Sequence, residues 1–260
     1  MLQTRRDGPV LTLTLDRPET RNALSADLVE ALTTALADAA EDAAVRVVVI
    51  AAAGKVFSAG ADLAALRALR DASFSDNLAD SERLGRLFEA ILRHPKPVVA
   101  RVHGHAIAGG CGLAAACDLS LVAESATLGF SEVRIGFVPA LVATFVTRRI
   151  GETAARELFL RGHRIPACEA ARIGLVTRVV PDAALDAELA ALCTELATET
   201  SGSAIALTKA LLADLPGRSL ADALAHAAAV NAHARATDDC RAGVDAFLGK
   251  TDPPWRAAAG

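Results

Sequence analysis

Between residues 98 and 118 the sequence leaves the fold few choices. A β-branched run, Val98-Val99-Ala100-Arg101-Val102, feeds glycines at 104, 109, 110 and 112 and then the small-residue segment Leu113 to Cys117. This order reads as a buried strand, a glycine turn and a helix thin enough to pack closely. Such a junction leaves backbone N–H groups unpaired and aims the positive end of a helix dipole at whatever occupies it. A phosphate and the oxyanion of a reacting carbonyl both fit that description.

The rest of the composition narrows the field. At 260 residues and 52% apolar, the chain is long enough for one large domain or a domain with a small extension. A net charge of −4 with no basic cluster excludes nucleic acid as the natural partner. No run approaches a membrane span and the N-terminal residues carry no apolar signal stretch, so a soluble, cytoplasmic protein without a membrane partner is expected. The five cysteines (111, 117, 168, 193, 240) are odd in number and form no CxxC pair, which argues for small core residues rather than disulfides or a zinc ribbon. His103 and His105 sit near Cys111 but lack the further ligands of a tetrahedral site; they are expected as turn residues at the edge of a pocket, and no metal is expected.

Taken in order, Val10 to Leu15 alternates as a strand, and Ser25 N-caps a helix with Leu28, Leu32, Leu36 and Ala39 on one face. Arg46 to Ala52 is an unbroken apolar strand of the kind buried on both sides. Phe57-Ser-Ala-Gly-Ala-Asp-Leu63 turns into a second helix, in which Leu63, Leu66 and Leu69 are expected to be core. Residues 71–80 read as a polar, mobile surface segment, and the next helix, marked by Leu84 to Leu92, stops at His94-Pro95-Lys96-Pro97. Strand, helix, strand, glycine turn and helix thus occur twice, predicting a wound α/β layer with backbone N–H sites near Ala61 and Gly109. Beyond residue 140 the chain becomes Ala/Leu-rich helix, interrupted by a short strand at Val176 to Val180.

Phe57-Ser-Ala-Gly-Ala-Asp-Leu63, Lys96-Pro-Val-Val-Ala100, Ala108-Gly-Gly-Cys-Gly-Leu113, Cys117-Asp118 and Ser131-Glu-Val-Arg-Ile-Gly136, in that order, resemble the crotonase, or enoyl-CoA hydratase/isomerase, family. The resemblance runs from Val10 to about Trp255, and Ser131 to Pro139 carries a closer likeness to single-domain bacterial enoyl-CoA hydratases and methylglutaconyl-CoA hydratase-like members. It implies an α/β fold: a crotonase-like ββα spiral core over residues 1–195 and a C-terminal helical region over 196–260 that builds homotrimers, often paired as hexamers. It implies an acyl-CoA thioester substrate and no separate cofactor, coenzyme A being part of the substrate. Residue by residue, it puts the N–H groups of Ala61 and Gly109 at the thioester oxygen. It sets Arg21, Ala23, Leu24, Ala59, Asp62 and Leu63 along the CoA, with Gly112, Ser131 and Glu132 as further substrate-binding positions. Phe247 and Lys250 match positions that help bind CoA, sometimes from a neighbouring subunit.

The chemistry agrees. Proton removal α to a thioester, or water addition across its conjugated double bond, builds charge on the carbonyl oxygen that two N–H donors can hold. The proton needs a carboxylate of raised pKa, and Glu132, among Phe130, Val133, Ile135 and Phe137, is the candidate. If this segment is extended, Arg134 shares a face with Glu132 and a structural ion pair between them is the competing reading.

One departure concerns the reaction. Where many hydratases of the family carry a second glutamate, this chain has Gly112, and Ala140 stands where dienoyl isomerases carry an acid. Glu82 or Glu89 is left as a remote substitute. Enoyl-CoA hydration by Glu132 is the first reading. A Δ3–Δ2 enoyl-CoA isomerase is the alternative, and a non-catalytic acyl-CoA binder is the alternative of another class. Phe74, Leu78, Phe137, Leu141 and Phe145 are candidate acyl-pocket residues, with Arg83 and Arg86 as available cations.

Overall fold

In the computed structural model, which describes residues 1–62, 66–67 and 70–257, the chain advances by stepping between two sheets. Strands β1 (Leu2–Asp7) and β2 (Val10–Leu15) form an antiparallel hairpin. To β2 are added, all in parallel, β3 (Val47–Ala52), β5 (Val98–Val102), β7 (Leu119–Ala123) and β10 (Arg178–Val180). A smaller sheet holds the three-residue strands β4 (Val56–Ser58), β6 (His105–Ile107), β8 (Thr127–Gly129) and β9 (Arg164–Pro166). Each of β3, β5 and β7 is followed within a few residues by β4, β6 or β8, and each pair is followed by helical backbone. This is the expected ββα spiral.

Burial explains the apolar runs. In β3 alternate residues Val48, Ile50 and Ala52 join the main core, while Val47, Val49 and Ala51 join a second cluster with helix α6 (Leu185–Thr198). A strand covered on both faces has no polar positions, so the pattern is continuous rather than alternating.

Helix α1 (Ala26–Glu41) starts as expected, with Ser25 Oγ accepting the Leu28 N–H at 3.4 Å. Its buried stripe of Leu28, Leu32, Leu36 and Ala39 packs against α2 (Phe74–Leu92). Each buried leucine contributes about 1.5–3 kcal/mol.

Three local expectations are corrected. Much of residues 71–80 is not a surface loop: Ser73 and Asp76 close a capping box, and α2 begins at Phe74. The three-residue strands of the smaller sheet take residues read as turns. The helical run beyond residue 140 begins, as expected, with α4 (Ala140–Arg161), two helical stretches that meet at a non-helical Gly151 (φ 76°, ψ 160°). The segment around Glu132 is not extended but a short 3-10 helix, Glu132–Ile135. Leu63 and Leu69 lie outside the described residues.

Helices α3 (Gly109–Ala116) and α5 (Ala167–Arg172) close the core. Helices α7 (Gly202–Asp214), α8 (Leu220–Arg235), α9 (Asp238–Gly249) and α10 (Pro254–Ala257) follow α6. Cys111, Cys117 and Cys193 are buried, Cys240 is half-buried and Cys168 is exposed; all five are free. No helix among the described residues is long and apolar enough to cross a membrane.

Candidate active site

A buried asparagine and a buried serine tie the loop at 17–22 to the first glycine turn. Asn22 accepts the Arg17 N–H at 2.9 Å through Oδ1 and donates through Nδ2 to the carbonyls of Ala53 and Val56, each at 2.8 Å. Its own carbonyl accepts from Ser58 Oγ at 2.8 Å. With the loop held, the Ala59 N–H donates to Arg21 O at 3.0 Å and the Leu24 N–H to Gly60 O at 2.7 Å, and Leu24 pairs with Ala61 in a single parallel bridge.

The second turn leaves β6 through Ala108. Its N–H donates to Gly129 O at 2.8 Å, its carbonyl accepts the Gly112 N–H at 2.9 Å, and α3 begins at Gly109. Gly60, at φ +87°, presses on this turn: a Cβ there would meet Ala108 Cβ and Ile107 O at 2.8 Å and Gly109 N at 3.1 Å. Gly110 is pinned likewise, its would-be Cβ 2.5 Å from Ser58 O. The N–H groups of Ala61 and Gly109 are therefore brought to one place, and neither has an acceptor among the described residues. Ala108 takes φ 51°, ψ −125°, a conformation that favours glycine and that non-glycine residues adopt at a cost of about 1–3 kcal/mol.

Ala61 and Gly109 both line a cavity of about 450 Å³ that Glu132 also lines. Phe130, buried and edge-on to Phe159 at 4.9 Å, anchors the chain before the glutamate. Behind it the Phe137 N–H donates to Glu132 O at 3.0 Å. Glu132 Oε2 is buried and has no hydrogen-bond partner among the described residues. Burial raises the pKa of its carboxyl, and a backbone hydrogen bond opposes this only in part. Arg134 points elsewhere, its Nε donating to Arg161 O at 3.3 Å, so the ion pair with Glu132 is not formed.

Of the expected site residues, Leu24, Ala59, Ala61, Asp62, Gly109, Ser131 and Glu132 line this cavity. Asp62 is paired with Arg17 at 3.4 Å. Arg21, Ala23, Gly112, Phe247 and Lys250 do not line it; Phe247 is 83% exposed on α9 and Lys250 caps that helix. Leu63 is outside the described residues. Phe137, Leu141 and Arg83 line the cavity, joined by Leu66, which is not core. Phe74 and Leu78 are exposed elsewhere, Phe145 packs on Phe88, and Arg86 is off the cavity. Glu82 and Glu89 do not reach it; Asp80 does, paired with Arg83 at 3.0 Å. His103 and His105 also stay away from it, held at Gly54 O and Thr127, and no metal-binding cluster occurs among the described residues.

The missing second glutamate has a structural counterpart. A side chain at Gly112 would overlap Val142 Cγ1 and approach Phe88 at 3.3 Å. Val142, one of the cavity-lining residues on α4, fills the space that an acid at 112 would need.

The family model described as enoyl-CoA hydratase/isomerase matches residues 5–258. A Thermus thermophilus relative, named provisionally as an enoyl-CoA hydratase, is 44% identical over 253 residues, covering 97% of this chain and 99% of its own. A crystal structure of enoyl-CoA hydratase from Mycobacterium smegmatis superposes with a TM-score of 0.92 at 38% identity, covering 98% of each chain. Pseudomonas aeruginosa AtuE superposes at 0.93 with 36% identity, over 98% of this chain and 99% of that one. The chain belongs to the enoyl-CoA hydratase/isomerase family and is an enzyme of that family.

Proposed function

We propose that this enzyme adds water to a 2-enoyl-CoA, with Glu132 as its single acid/base. The observation that carries this reading is the buried Glu132 Oε2, without a partner among the described residues, on a residue that lines the same cavity as Ala61 and Gly109. The thioester oxygen sits between the two N–H donors. Water oxygen bonds to C3 as its proton passes to the Glu132 carboxylate, and the π pair moves to the thioester oxygen as an enolate. The same carboxyl then returns that proton to C2, so one water supplies both the hydroxyl and the new C–H. Two preset donors hold the enolate, and each is worth about 10²–10³ in rate. Glu132 begins as the base, so its raised pKa makes it a stronger one.

Isomerisation is the second reading, favoured by Val142. With an apolar side chain where a second acid would stand, one carboxylate moving a proton from C2 to C4 of a 3-enoyl-CoA needs nothing further. The assay is direct. Loss of conjugated-thioester absorbance from a 2-enoyl-CoA supports hydration, and a gain from a 3-enoyl-CoA supports isomerisation. No change with either, despite CoA binding, leaves a binder and refutes both.

The same reading gives the enzyme a cytoplasmic location, an acyl-CoA thioester partner, no separate cofactor, and assembly as a homotrimer or a pair of trimers. Exposed Leu212, Leu220, Leu224, Phe247 and Leu248 on the C-terminal helices support assembly through that region.

A further inference from the structure

We infer that Ser131 holds the attacking water, taking up a task for which position 112 has no group. This rests on the hydratase reading above. Ser131 occupies the N-cap of the Glu132–Ile135 turn, where a serine hydroxyl ordinarily accepts a backbone N–H. Here it makes no capping bond: the Arg134 N–H goes to the Ser131 carbonyl at 3.1 Å, and the hydroxyl has no hydrogen-bond partner among the described residues. Ser131 lines the cavity beside Glu132. The cavity's other serine, Ser81, is already committed to Asn77 O at 3.0 Å. Of the cavity's carboxylates, Asp80 is paired with Arg83 and Asp62 with Arg17. Val142 closes the position at Gly112.

An ordered water needs at least two polar partners. Glu132 Oε2 and Ser131 Oγ are two acceptors without partners among the described residues, on adjacent residues that both line the cavity. A water that donates one hydrogen to each has a lone pair left for C3. During addition the hydrogen on the Glu132 side moves to the carboxylate, and the hydrogen on the Ser131 side stays on oxygen and becomes the product hydroxyl. Ser131 itself is unchanged. Because its hydroxyl caps nothing, removing it leaves the turn intact.

The test compares wild type, Ser131→Ala and Ser131→Thr on two reactions. One is hydration of crotonyl-CoA. The other is exchange of the C2 hydrogens of butyryl-CoA in deuterated water, which uses Glu132 and the two N–H donors but has no C3 attack. Ser131→Ala is expected to lower kcat for hydration about 10–100-fold, as for loss of one hydrogen bond to a reacting group, with KM and exchange unchanged. Ser131→Thr is expected to restore hydration. Hydration within twofold of wild type in Ser131→Ala, or exchange falling in step with hydration, overturns the inference. A wild-type enzyme that exchanges butyryl-CoA but does not hydrate crotonyl-CoA overturns the hydratase reading itself, and the inference with it.

Discussion

The two ends of helix α3 are built to opposite rules. At its start, among the described residues, the N–H groups of Gly109 and the neighbouring Ala61 have no acceptor and the buried Glu132 Oε2 has no partner, while Ala108 holds a glycine-like conformation. At its finish Arg149 donates to the carbonyls of Ala115, Cys117 and Asp118, the latter two at 2.9 and 3.1 Å. The Asp118 carboxylate accepts from Val98 N–H at 2.7 Å and from Lys209, which is 8% exposed and also donates to Lys96 O at 3.1 Å. Cations at a helix C-terminus complement its dipole and satisfy its last carbonyls. One end is saturated and the other is left open. Unmet hydrogen-bonding capacity is costly in a buried site. Its concentration at the cavity end therefore marks where a ligand completes the structure, while the saturated end holds the helix in place.

Substitutions at the two ends should separate these roles. Arg149→Met leaves three carbonyls without their donor and is expected to destabilise the protein by about 2–3 kcal/mol in chemical denaturation. The activity of the molecules that remain folded should be unchanged; a selective loss of activity would make the saturated end part of the site. Next in size is Gly112→Ala, whose methyl overlaps Val142. It should cost about 1–3 kcal/mol, and Val142→Ala in the same chain should recover most of it. If the second change does not help, Val142 is not what fills that space. Ala108→Gly relieves the strained turn and should stabilise by about 1 kcal/mol, raising Tm, with the open end more mobile and the rate lower.

The smallest effect concerns pH and Glu132. Its folded-state pKa is raised by burial, so between the unfolded and folded values the folded protein binds more protons. This group's contribution thus makes stability fall as pH rises through that window. Glu132→Gln should flatten the slope and raise Tm at neutral pH by about 1–3 °C. A Tm that drops instead would mean the carboxylate is stabilised in the fold rather than held there for chemistry.

How much of this was legible beforehand differs by feature. Leu28 to Ala39 and Val47 to Ala52 could be read directly, because each lies in an element long enough to show its period. Strands of three residues such as Val56–Ser58 and His105–Ile107 are too short to alternate visibly, so they merged with the glycine turns beside them. Glu132 and the Ala61 and Gly109 positions followed from the order of motifs. The geometry of Glu132 did not, since a 3-10 turn capped by Gly136 and an extended segment have the same apolar pattern here. Nothing in the sequence marks Asn22 and Ser58 as the tie between the 17–22 loop and the first glycine turn: their effect comes from hydrogen bonds to residues distant in sequence. The signal present is a short polar side chain, which alone reads as loop. Val142 is likewise silent in the sequence, because its meaning depends on facing Gly112 across two helices.

The central claim is that the open end of α3 is a one-carboxylate site for acyl-CoA. It is tested most directly by following crotonyl-CoA hydration against pH for wild type and Glu132→Gln, with CoA-ester binding measured in parallel. In wild type the rate should fall with decreasing pH through a pKa above the ordinary carboxylate range, since the protonated glutamate cannot accept the water proton. In Glu132→Gln the rate should drop about 10²–10⁴-fold at every pH while binding is retained. A Gln variant within tenfold of wild type, or a wild-type profile with no acid limb, would contradict the account.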